Sequence, residues 1–435
     1  MERKRRACGE AISSVANVLI LSLVFPPDNV STAQLMGEIA LDLGKSGHDV
    51  RVISTVPHYN PESGDKAHSP LRSVCGALVR RSDYRGISVY HVWMPRKGRN
   101  VFLRILAWGL FHLLSTLIGV MVSWKPSVVL APSPPLTIGL SAWLICLLRR
   151  AAYIYNVQEI YPDVAINLGV LKSPALIRVI QAIERKVYRH ARFLTTISPA
   201  MRHKIISKGV AESKVRLIPN FVDLEAFARV SRNNEFGRRL GLEGKFVVSY
   251  AGNMGRPQGL DLFVDAMASL QEFPLIHLLM VGGGSEFTRL SLRSQGLRNV
   301  TFLPQQEYSV VPMIYACSHL SIVAQAPGTQ ADGIPSKVYR IMGSGRAVLA
   351  YTAADSDLAW LVTASRGGIV CQPESAGDLA RLLRKAGDVA STWDGFGDRG
   401  RAYVSEHFAR SKITRQYSDL VDEAKMSKAV GPSHP

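Results

Sequence analysis

Short apolar segments of strand length alternate with longer helical segments, and this alternation constrains the fold more than any other feature of the sequence. In the first half the apolar segments are "VLILSLVF", "DVRVIS", "VYHVW", "SVVLA", "AYIYN" and "FLTTI". Helical segments separate most of them, such as "SPALIRVIQAIERKVYRHA", which begins with Ser-Pro and carries an apolar stripe. Strands that alternate with helices are typical of βαβ units, so we predict an α/β fold with parallel sheets.

The alternation stops at residues 207–245, which are polar and rich in turn residues, and a second set of strands follows. These strands are "KFVVSYAG", "HLLMVGGG", "NVTFLP", "LSIVAQ", "RAVLAY" and "GGIVCQ". We therefore predict two doubly wound halves, with a ligand in the cleft between them at the carboxyl ends of the strands. The predicted divisions are an N-terminal acceptor domain at 1–205, a linker at 206–244, a nucleotide-sugar domain at 245–404, a C-terminal helix at 405–425 that packs back on the first domain, and a tail at 426–435.

Two apolar segments raise the question of a membrane. The basic N-terminus leads into "NVLILSLVF", which is short, β-branched and followed by Pro-Pro, so we interpret it as a buried strand rather than as a signal peptide. A longer segment at 105–124 has the length of a membrane span but contains His112 and several hydroxyl side chains. Basic residues precede it, so we favour a buried or interfacial helix over 102–124, and a spanning helix is the alternative.

The chain has a formal net charge of +18, which favours an anionic partner. It contains no basic-aromatic motif or recognition-helix pattern, so we do not expect it to bind nucleic acid.

Its five cysteines show no CxxC spacing, which favours a reducing compartment and gives no sign of a zinc site. The first strand-to-helix turn lacks GxGxxG and "GGGSEF" lacks the Walker Lys-Ser/Thr, so dinucleotide and Walker-type sites are disfavoured.

The segment "ADGIPSKVYRIMGSGRAVLA", residues 331–350, predicts a phosphate site. Gly333 begins a turn, Ser336 is placed to cap the next helix, and Lys337 adds a cation to its first turn. Two further glycine turns follow strands of the same half, at "YAGNMGRPQGLD" and "VGGGSEF". Glycine lets a ligand approach the backbone closely, so the three turns together indicate a nucleotide or sugar phosphate.

These motifs together resemble the family-4 glycosyltransferases, which have the two-domain GT-B fold. The resemblance includes "FPPDN", "GHDVRVIS", "PHYNPESG", "NVQEIYPDVAINLGVL", "VRLIPNFVD", "YAGNMGRPQGLD", "VGGGSEF", "FLPQQEYSVVPMIYACSHLSIV" and "GIPSKVYRIMGSGRAVLA". It is closest to the branch that builds exopolysaccharides, lipopolysaccharide O-antigen and colanic acid, including fucosaminyltransferase-like members.

The resemblance implies an enzyme that moves a sugar from a nucleotide-sugar, UDP-linked, to a polyprenyl-diphosphate-linked saccharide, with retention of configuration and with no metal or other cofactor. It implies a cytoplasmic protein held peripherally at an anionic membrane, on the inner face of the plasma membrane. The implied catalytic residues are Gln158, Glu159, Arg256 and Lys337. The implied donor-binding residues are Gly252, Asn253, Gly255, Gly283, Gly284, Leu303, Pro304, Gln305, Asp332, Gly333, Ser336, Tyr339 and Arg340. The implied acceptor-side loop contains Pro27, Asp28, Asn29 and His58.

Arg340 departs from the family pattern. The family carries two glutamates separated by seven residues, and the second usually contacts the ribose; this sequence has Asp332 and Arg340 in that region. An arginine cannot accept hydrogen bonds from hydroxyl groups. Two alternatives therefore stay open beside the transferase: a nucleotide- or glycan-binding scaffold without turnover, and a nucleotide-sugar 2-epimerase, which would act on the donor alone.

Overall fold

A computed structural model describes residues 15–58, 70–95, 101–325 and 333–429 of the chain. The chain forms two compact units. The first contains residues 1–157, 183–195 and 414–435, and the second contains residues 158–182 and 196–413.

The first sheet has nine strands in the order β3-β4-β5-β2-β1-β6-β7-β8-β9. The strands are β1 Asn17–Leu21, β2 Asp49–Thr55, β3 Arg72–Cys75, β4 Val79–Tyr84, β5 Ile87–Val92, β6 Val128–Pro132, β7 Ala152–Val157, β8 Phe193–Thr196 and β9 Val215–Leu217. β1 pairs in parallel with β2 and β6, while β3, β4 and β5 form an antiparallel meander at one edge. All residues of β6 and β7 are buried, which explains why these strands are continuous apolar runs in the sequence.

The second sheet has six strands in the order β12-β11-β10-β13-β14-β15, and every pairing is parallel. The strands are β10 Phe246–Asn253, β11 Ile276–Gly283, β12 Val300–Pro304, β13 Leu320–Ala324, β14 Ala347–Tyr351 and β15 Gly368–Cys371. Helices cover both faces of this sheet, and two apolar clusters, one built around Phe263 and one around Tyr339, form its core. This is the doubly wound arrangement that the sequence predicts.

Fifteen α-helices are found in the described segments. They are α1 Ser31–Lys45, α2 Val101–Met121, α3 Ile138–Arg149, α4 Asp163–Asn167, α5 Pro174–His190, α6 Pro199–Ser207, α7 Glu235–Arg239, α8 Asp261–Ala268, α9 Phe287–Arg293, α10 Val311–Ala316, α11 Lys337–Gly343, α12 Asp357–Ser365, α13 Ala376–Asp388, α14 Trp393–His407 and α15 Arg410–Ala429.

All twelve predicted strands are present, and "NVLILSLVF" forms the buried strand β1 as predicted. Three strands were missed: β3, β4 and β9. Every residue of β3 is exposed and β9 has only three residues, so neither leaves an apolar pattern in the sequence. The basic residues before β1 lie outside the described segments.

The helix predicted to be buried or interfacial corresponds to α2. Ala107 and Phe111 are buried, and Gly119 packs against Ile145 of α3. Another face of α2 is exposed to solvent and carries Leu113, Leu117 and Met121. Of the helices in the described segments, none combines the length and the apolar character that crossing a membrane requires.

Candidate functional site

Two glycine-rich strand ends form the base of the candidate site in the second unit. Gly252 of β10 pairs in register with Gly282 of β11. Gly282 has a φ of +149°, and a Cβ on it would lie 1.9 Å from the Gly252 carbonyl oxygen. Only glycine fits this close approach, so the two strand ends present bare backbone at the carboxyl edge of the sheet.

Lys337 lies directly over this backbone. Its Nζ is 3.8 Å from the centroid of the Tyr250 ring, and a Cβ on Gly252 would lie 2.8 Å from Nζ. Burial, followed by the nearby charge of Arg340, lowers the pKa of Lys337 to about 7. The described segments place no carboxylate within salt-bridge distance of the ammonium. A cation held in this way gains stability when an anion binds beside it.

The helix that carries Lys337 ends at Gly343, and its beginning differs from the prediction. The backbone of Ser336 is already helical, and its hydroxyl makes no capping hydrogen bond. A serine cap requires an extended backbone that aims the side-chain oxygen at the first turn, and Ser336 does not adopt it. Gly333 does form the predicted turn, with a φ of +87°, and its carbonyl accepts a hydrogen bond of 2.8 Å from the Gln325 side chain.

Arg340 lies one turn further along α11. Its guanidinium carbon is 5.1 Å from the centroid of the Tyr308 ring and 5.7 Å from that of Phe227. These two rings meet edge to face at 5.7 Å. Tyr308 follows the end of β12, where the predicted donor-binding residues Leu303, Pro304 and Gln305 lie. Asp332, the other half of the unusual pair, lies outside the described segments.

Other predicted donor-side residues surround the glycines. The Gln305 side-chain oxygen would lie 4.0 Å from a Cβ on Gly283, and the Asn253 side-chain oxygen would lie 2.6 Å from a Cβ on Gly284. The Gly255 N–H donates a 2.8 Å hydrogen bond to the Gln258 side chain, which holds the loop after β10.

Arg256 and Tyr339 occupy environments that their positions in the sequence did not reveal. The Arg256 side chain is 89% exposed, and its Nε is 3.7 Å from a Glu286 carboxylate oxygen. Tyr339 is fully buried, its ring packs against Phe408, and burial raises its pKa. The structure thus places Tyr339 in the core of the second unit.

Gln158 follows β7 and belongs to the second unit. Its side-chain oxygen accepts a 3.0 Å hydrogen bond from Asn220, and both residues are buried, whereas Glu159 is exposed. Asn220, Tyr250 and Tyr308 were not among the predicted site residues. Asn220 lies in the quoted motif "VRLIPNFVD", and this was the available signal for it.

A second cluster lies at the carboxyl ends of β1 and β2 in the first unit. The Asp28 carboxylate accepts a 2.9 Å hydrogen bond from the His58 backbone N–H, and its second oxygen is 3.8 Å from Nδ1 of that ring. Thr55 gives its proton to the Leu23 carbonyl at 2.9 Å. Its oxygen therefore accepts from His58 Nδ1, also at 2.9 Å, so Nδ1 carries a proton. The structure thus brings together Asp28 and His58, with Pro27 and Asn29 half-buried beside them.

Two cavities of the second unit differ in their relation to these residues. One of about 310 Å³ is lined by Gly255, Arg256 and Glu286, next to the glycine turns. Another of about 590 Å³ lies at the amino ends of β10 and β11, and no predicted site residue lines it. We assign the site to the carboxyl edge, because the buried cation and the bare backbone lie there.

Within the described segments, no three His, Cys, Asp or Glu side chains are grouped so that they could hold a metal.

Family models match both halves of the chain. A model described as "Glycosyl transferase 4-like domain" matches residues 32–220, and one described as "Glycosyl transferases group 1" matches residues 232–397.

Two curated proteins are similar over most of their length. The "Putative colanic acid biosynthesis glycosyl transferase WcaI" of Escherichia coli (strain K12) is 27% identical over 379 residues, which cover 85% of this chain and 91% of that protein. The "Probable glycosyltransferase WbjE" of Pseudomonas aeruginosa is 23% identical over 350 residues, which cover 78% of this chain and 83% of that protein. The predicted resemblance to the exopolysaccharide branch is thereby confirmed.

Among solved structures, Anabaena Alr3699/HepE in complex with UDP and glucose superimposes with a TM-score of 0.69 at 16% identity. The match covers 94% of this chain and 100% of that chain. At this identity the likeness shows the fold, and the fold is the one predicted. The chain therefore belongs to the group 1, family-4 glycosyltransferases and has their GT-B fold of two Rossmann-like domains.

Proposed function

We propose that this glycosyltransferase binds a UDP-linked sugar in its second unit and transfers the sugar, with retention of configuration, to a lipid-linked saccharide during synthesis of a cell-surface polysaccharide. One observation carries the proposal: the Lys337 ammonium lies over the bare backbone of Gly252 with no carboxylate in the described segments to neutralise it. The name of the colanic acid relative and the UDP and glucose bound to the structural relative support this choice of substrate class.

In this reaction the bond between the anomeric carbon and the diphosphate oxygen breaks, and a bond to the acceptor hydroxyl forms on the same face. The hydroxyl proton passes to the departing diphosphate. Lys337 stabilises the charge that develops on the diphosphate, and Gln158, held by Asn220, contacts the donor sugar. Arg256 supplies a second cation after its contact with Glu286 is exchanged for the ligand. The reaction in this form requires no metal ion or other cofactor.

The acceptor binds to the first unit beside Asp28 and His58. The buried Asp28 accepts from the His58 backbone N–H and so fixes the segment that carries the ring. The role of this cluster is to orient the acceptor hydroxyl.

The first unit also contacts the membrane that holds a lipid-linked acceptor. Leu117 and Met121 of α2 and Leu147 of α3 are exposed, and Lys125 and Arg150 follow these two helices with exposed side chains. Apolar side chains with basic neighbours, on a chain of net charge +18, suit the surface of an anionic bilayer. We therefore place the protein peripherally at the cytoplasmic face of the plasma membrane.

Vesicle sedimentation tests the membrane contact. Wild type should sediment with phosphatidylglycerol vesicles at low salt and be released in part by 1 M NaCl, because salt screens the charge attraction. Leu117→Glu should weaken sedimentation, whereas the matched variant Leu275→Glu, at a 64% exposed position in the second unit, should not. Equal sedimentation of all three proteins would show that α2 does not contact the bilayer.

A transfer assay tests the activity itself. The purified protein is incubated with UDP-sugars and polyprenyl-linked saccharides extracted from polysaccharide-producing cells, with and without EDTA, and the product linkage is determined by NMR. We expect a glycolipid with the anomeric configuration of the donor, formed equally in EDTA and absent with Lys337→Ala. An inverted linkage would refute retention, and loss of activity in EDTA would refute metal independence.

Arg340 favours a second candidate function, which is binding without turnover. It replaces a family glutamate at the donor side, so the chain could hold a nucleotide and no longer transfer the sugar. Tight nucleotide binding without release of UDP from any UDP-sugar, in the presence of the extracted lipids, would establish this candidate.

A further inference from the structure

Tyr250 lies beneath the Lys337 ammonium at the carboxyl end of β10. The Lys337 Nζ is 3.8 Å from the centroid of the Tyr250 ring, so the ammonium lies over the face of that ring. The same nitrogen would be 2.8 Å from a Cβ on Gly252, which follows on the same strand. Gly252 is exposed, so the backbone beside the ammonium is open to a ligand.

The Tyr250 ring is fixed by the core of the second unit. Tyr250 is fully buried and belongs to the apolar cluster built around Phe263. Its hydroxyl donates a hydrogen bond to the Asn253 carbonyl at the end of the same strand. Packing and this hydrogen bond together fix the orientation of the ring, so the ring does not have to be ordered when a ligand binds.

The face of the ring favours the charged form of Lys337. An aromatic ring carries negative charge density on its faces, and it stabilises a cation most strongly where the surroundings exclude water. Burial and the charge of Arg340 act in the opposite direction and lower the pKa of Lys337 to about 7. The ring therefore offsets part of the cost of holding the ammonium.

The ring stabilises the cation without neutralising it. Burial, followed by the nearby Tyr315, raises the pKa of the Tyr250 hydroxyl, and burial raises the pKa of Tyr315 to about 12. Neither tyrosine carries a charge at neutral pH, and the described segments place no carboxylate within salt-bridge distance of Lys337. A cation supported by a neutral ring keeps its full attraction for an anion, whereas a carboxylate would compete with that anion.

We infer that Tyr250 is a positioning residue of the donor site, whose ring holds the Lys337 ammonium charged and in place over Gly252 for the diphosphate. This inference rests on the proposed function, since it assumes that Lys337 binds the diphosphate. Tyr250 acts through Lys337, so its replacement should change how tightly Lys337 holds its proton and, through that, how tightly the site holds the nucleotide.

Calorimetry with UDP on the full chain, from pH 5.5 to pH 8, tests the inference. Tyr250→Phe keeps the ring and is the reference for a protein that carries a trifluorinated phenylalanine at this position. Fluorine withdraws charge from the face of the ring with little change in its size, so the fluorinated protein should hold the Lys337 proton less tightly. UDP binding should weaken about tenfold at pH 8, where the proton is easily lost, and less than about twofold at pH 5.5, where Lys337 stays charged.

The pH dependence separates this role from a loss of packing. The phosphate titrates identically in both proteins, so the ratio of their affinities reports on the protein alone. A packing defect would weaken UDP by the same factor at every pH, whereas a change at Lys337 gives a ratio that grows as the pH rises.

Two further variants complete the series. Tyr250→Phe should bind UDP within about threefold of wild type, because the exposed Asn253 can replace the lost hydrogen bond with one to water. Tyr250→Leu removes the ring and should weaken UDP at least about tenfold at pH 8 relative to Tyr250→Phe, again with a smaller factor at pH 5.5. Thermal melting of each variant monitors folding, and Tyr250→Leu carries the test if the fluorinated protein does not fold.

Phe273→Leu is the matched control. The guanidinium carbon of Arg384 is 5.2 Å from the centroid of the Phe273 ring, and both residues line the cavity at the amino edge of the same sheet. The variant removes a contact between a cation and a ring away from the carboxyl edge. It should therefore bind UDP as wild type does at every pH.

The possible outcomes are distinct. If the fluorinated protein and Tyr250→Phe bind UDP equally well, or if their affinities differ by the same factor at every pH, the ring does not hold the charge of Lys337 and the inference is wrong. In that case the proposed function stands as long as Lys337→Ala weakens UDP. If wild type does not bind UDP, the proposed function fails and the inference fails with it.

Discussion

The carboxyl ends of the strands in the two sheets carry opposite chemistry on similar scaffolds. In the first unit a buried acid, Asp28, and an imidazole, His58, lie beside β1 and β2. In the second unit an ammonium, Lys337, lies over the bare backbone of Gly252 and Gly282. The doubly wound fold provides an open edge in both cases, and under the proposed function the side chains fit one edge to sugar hydroxyls and the other to phosphate.

The glycine contact should produce the largest effect on stability. Gly282→Ala places a Cβ 1.9 Å from a backbone oxygen at a positive φ, so the strand ends must separate. We expect the free energy of unfolding to fall by about 3 kcal/mol or more, with a fall in Tm of about 6–12 °C for a unit of this size. Differential scanning calorimetry measures this change.

Gly296→Ala is the control for backbone strain. Gly296 has a φ of +84°, and nothing lies within 4 Å of a Cβ placed there. It should cost only about 1 kcal/mol. If both variants lose the same free energy of unfolding, the positive φ alone explains the loss. The close approach of β10 and β11 would then add nothing to the cost of replacing Gly282.

A smaller loss is expected from the acid of the first unit. Asp28→Ala removes the acceptor of the His58 N–H in a buried setting and should cost about 1–3 kcal/mol in unfolding free energy. Nucleotide affinity should not change, whereas transfer to the acceptor should fall. Asp419→Ala, at an exposed position of the same unit, should change neither quantity. If Asp28→Ala binds the nucleotide more weakly than wild type, the claim that Asp28 serves the acceptor alone is wrong.

The smallest expected effect is on pH dependence. Lys337, with a pKa of about 7, is charged below that pH and increasingly neutral above it. The groups that face it are the Tyr250 ring, whose hydroxyl pKa is raised by burial, and the cation Arg340. Neither changes charge between pH 7 and 8.5, and a terminal phosphate, whose second pKa is about 6, is mostly ionised at pH 7 and almost fully ionised above pH 8.

Calorimetric affinity for UDP should therefore fall as the pH rises from 7 to 8.5, by at most about tenfold per pH unit, because binding requires the Lys337 proton. Lys337→Gln should bind more weakly at pH 7 and show no such fall. The same pH dependence in both proteins would exclude Lys337 as the titrating group.

The sequence was sufficient to predict the twelve strands of the two doubly wound halves, because buried parallel strands are continuous apolar runs. It did not predict β3, whose residues are all exposed, because an edge hairpin of this kind needs no apolar pattern. For the site, spacing was enough to single out Lys337 and the glycine turns. It could not show that Tyr250 lies beneath the ammonium or that Tyr339 faces the core, because both depend on how α11 packs on the sheet.

The most direct test is a panel of nucleoside diphosphates, measured by calorimetry at pH 7 on wild type and Lys337→Ala. The account predicts that one diphosphate, UDP, binds with micromolar affinity and that Lys337→Ala weakens it at least about tenfold, or about 1.4 kcal/mol. Arg384→Gln should bind as wild type does. If no diphosphate binds wild type, or if UDP binds both proteins equally well, then the Lys337 ammonium over Gly252 is not the donor site.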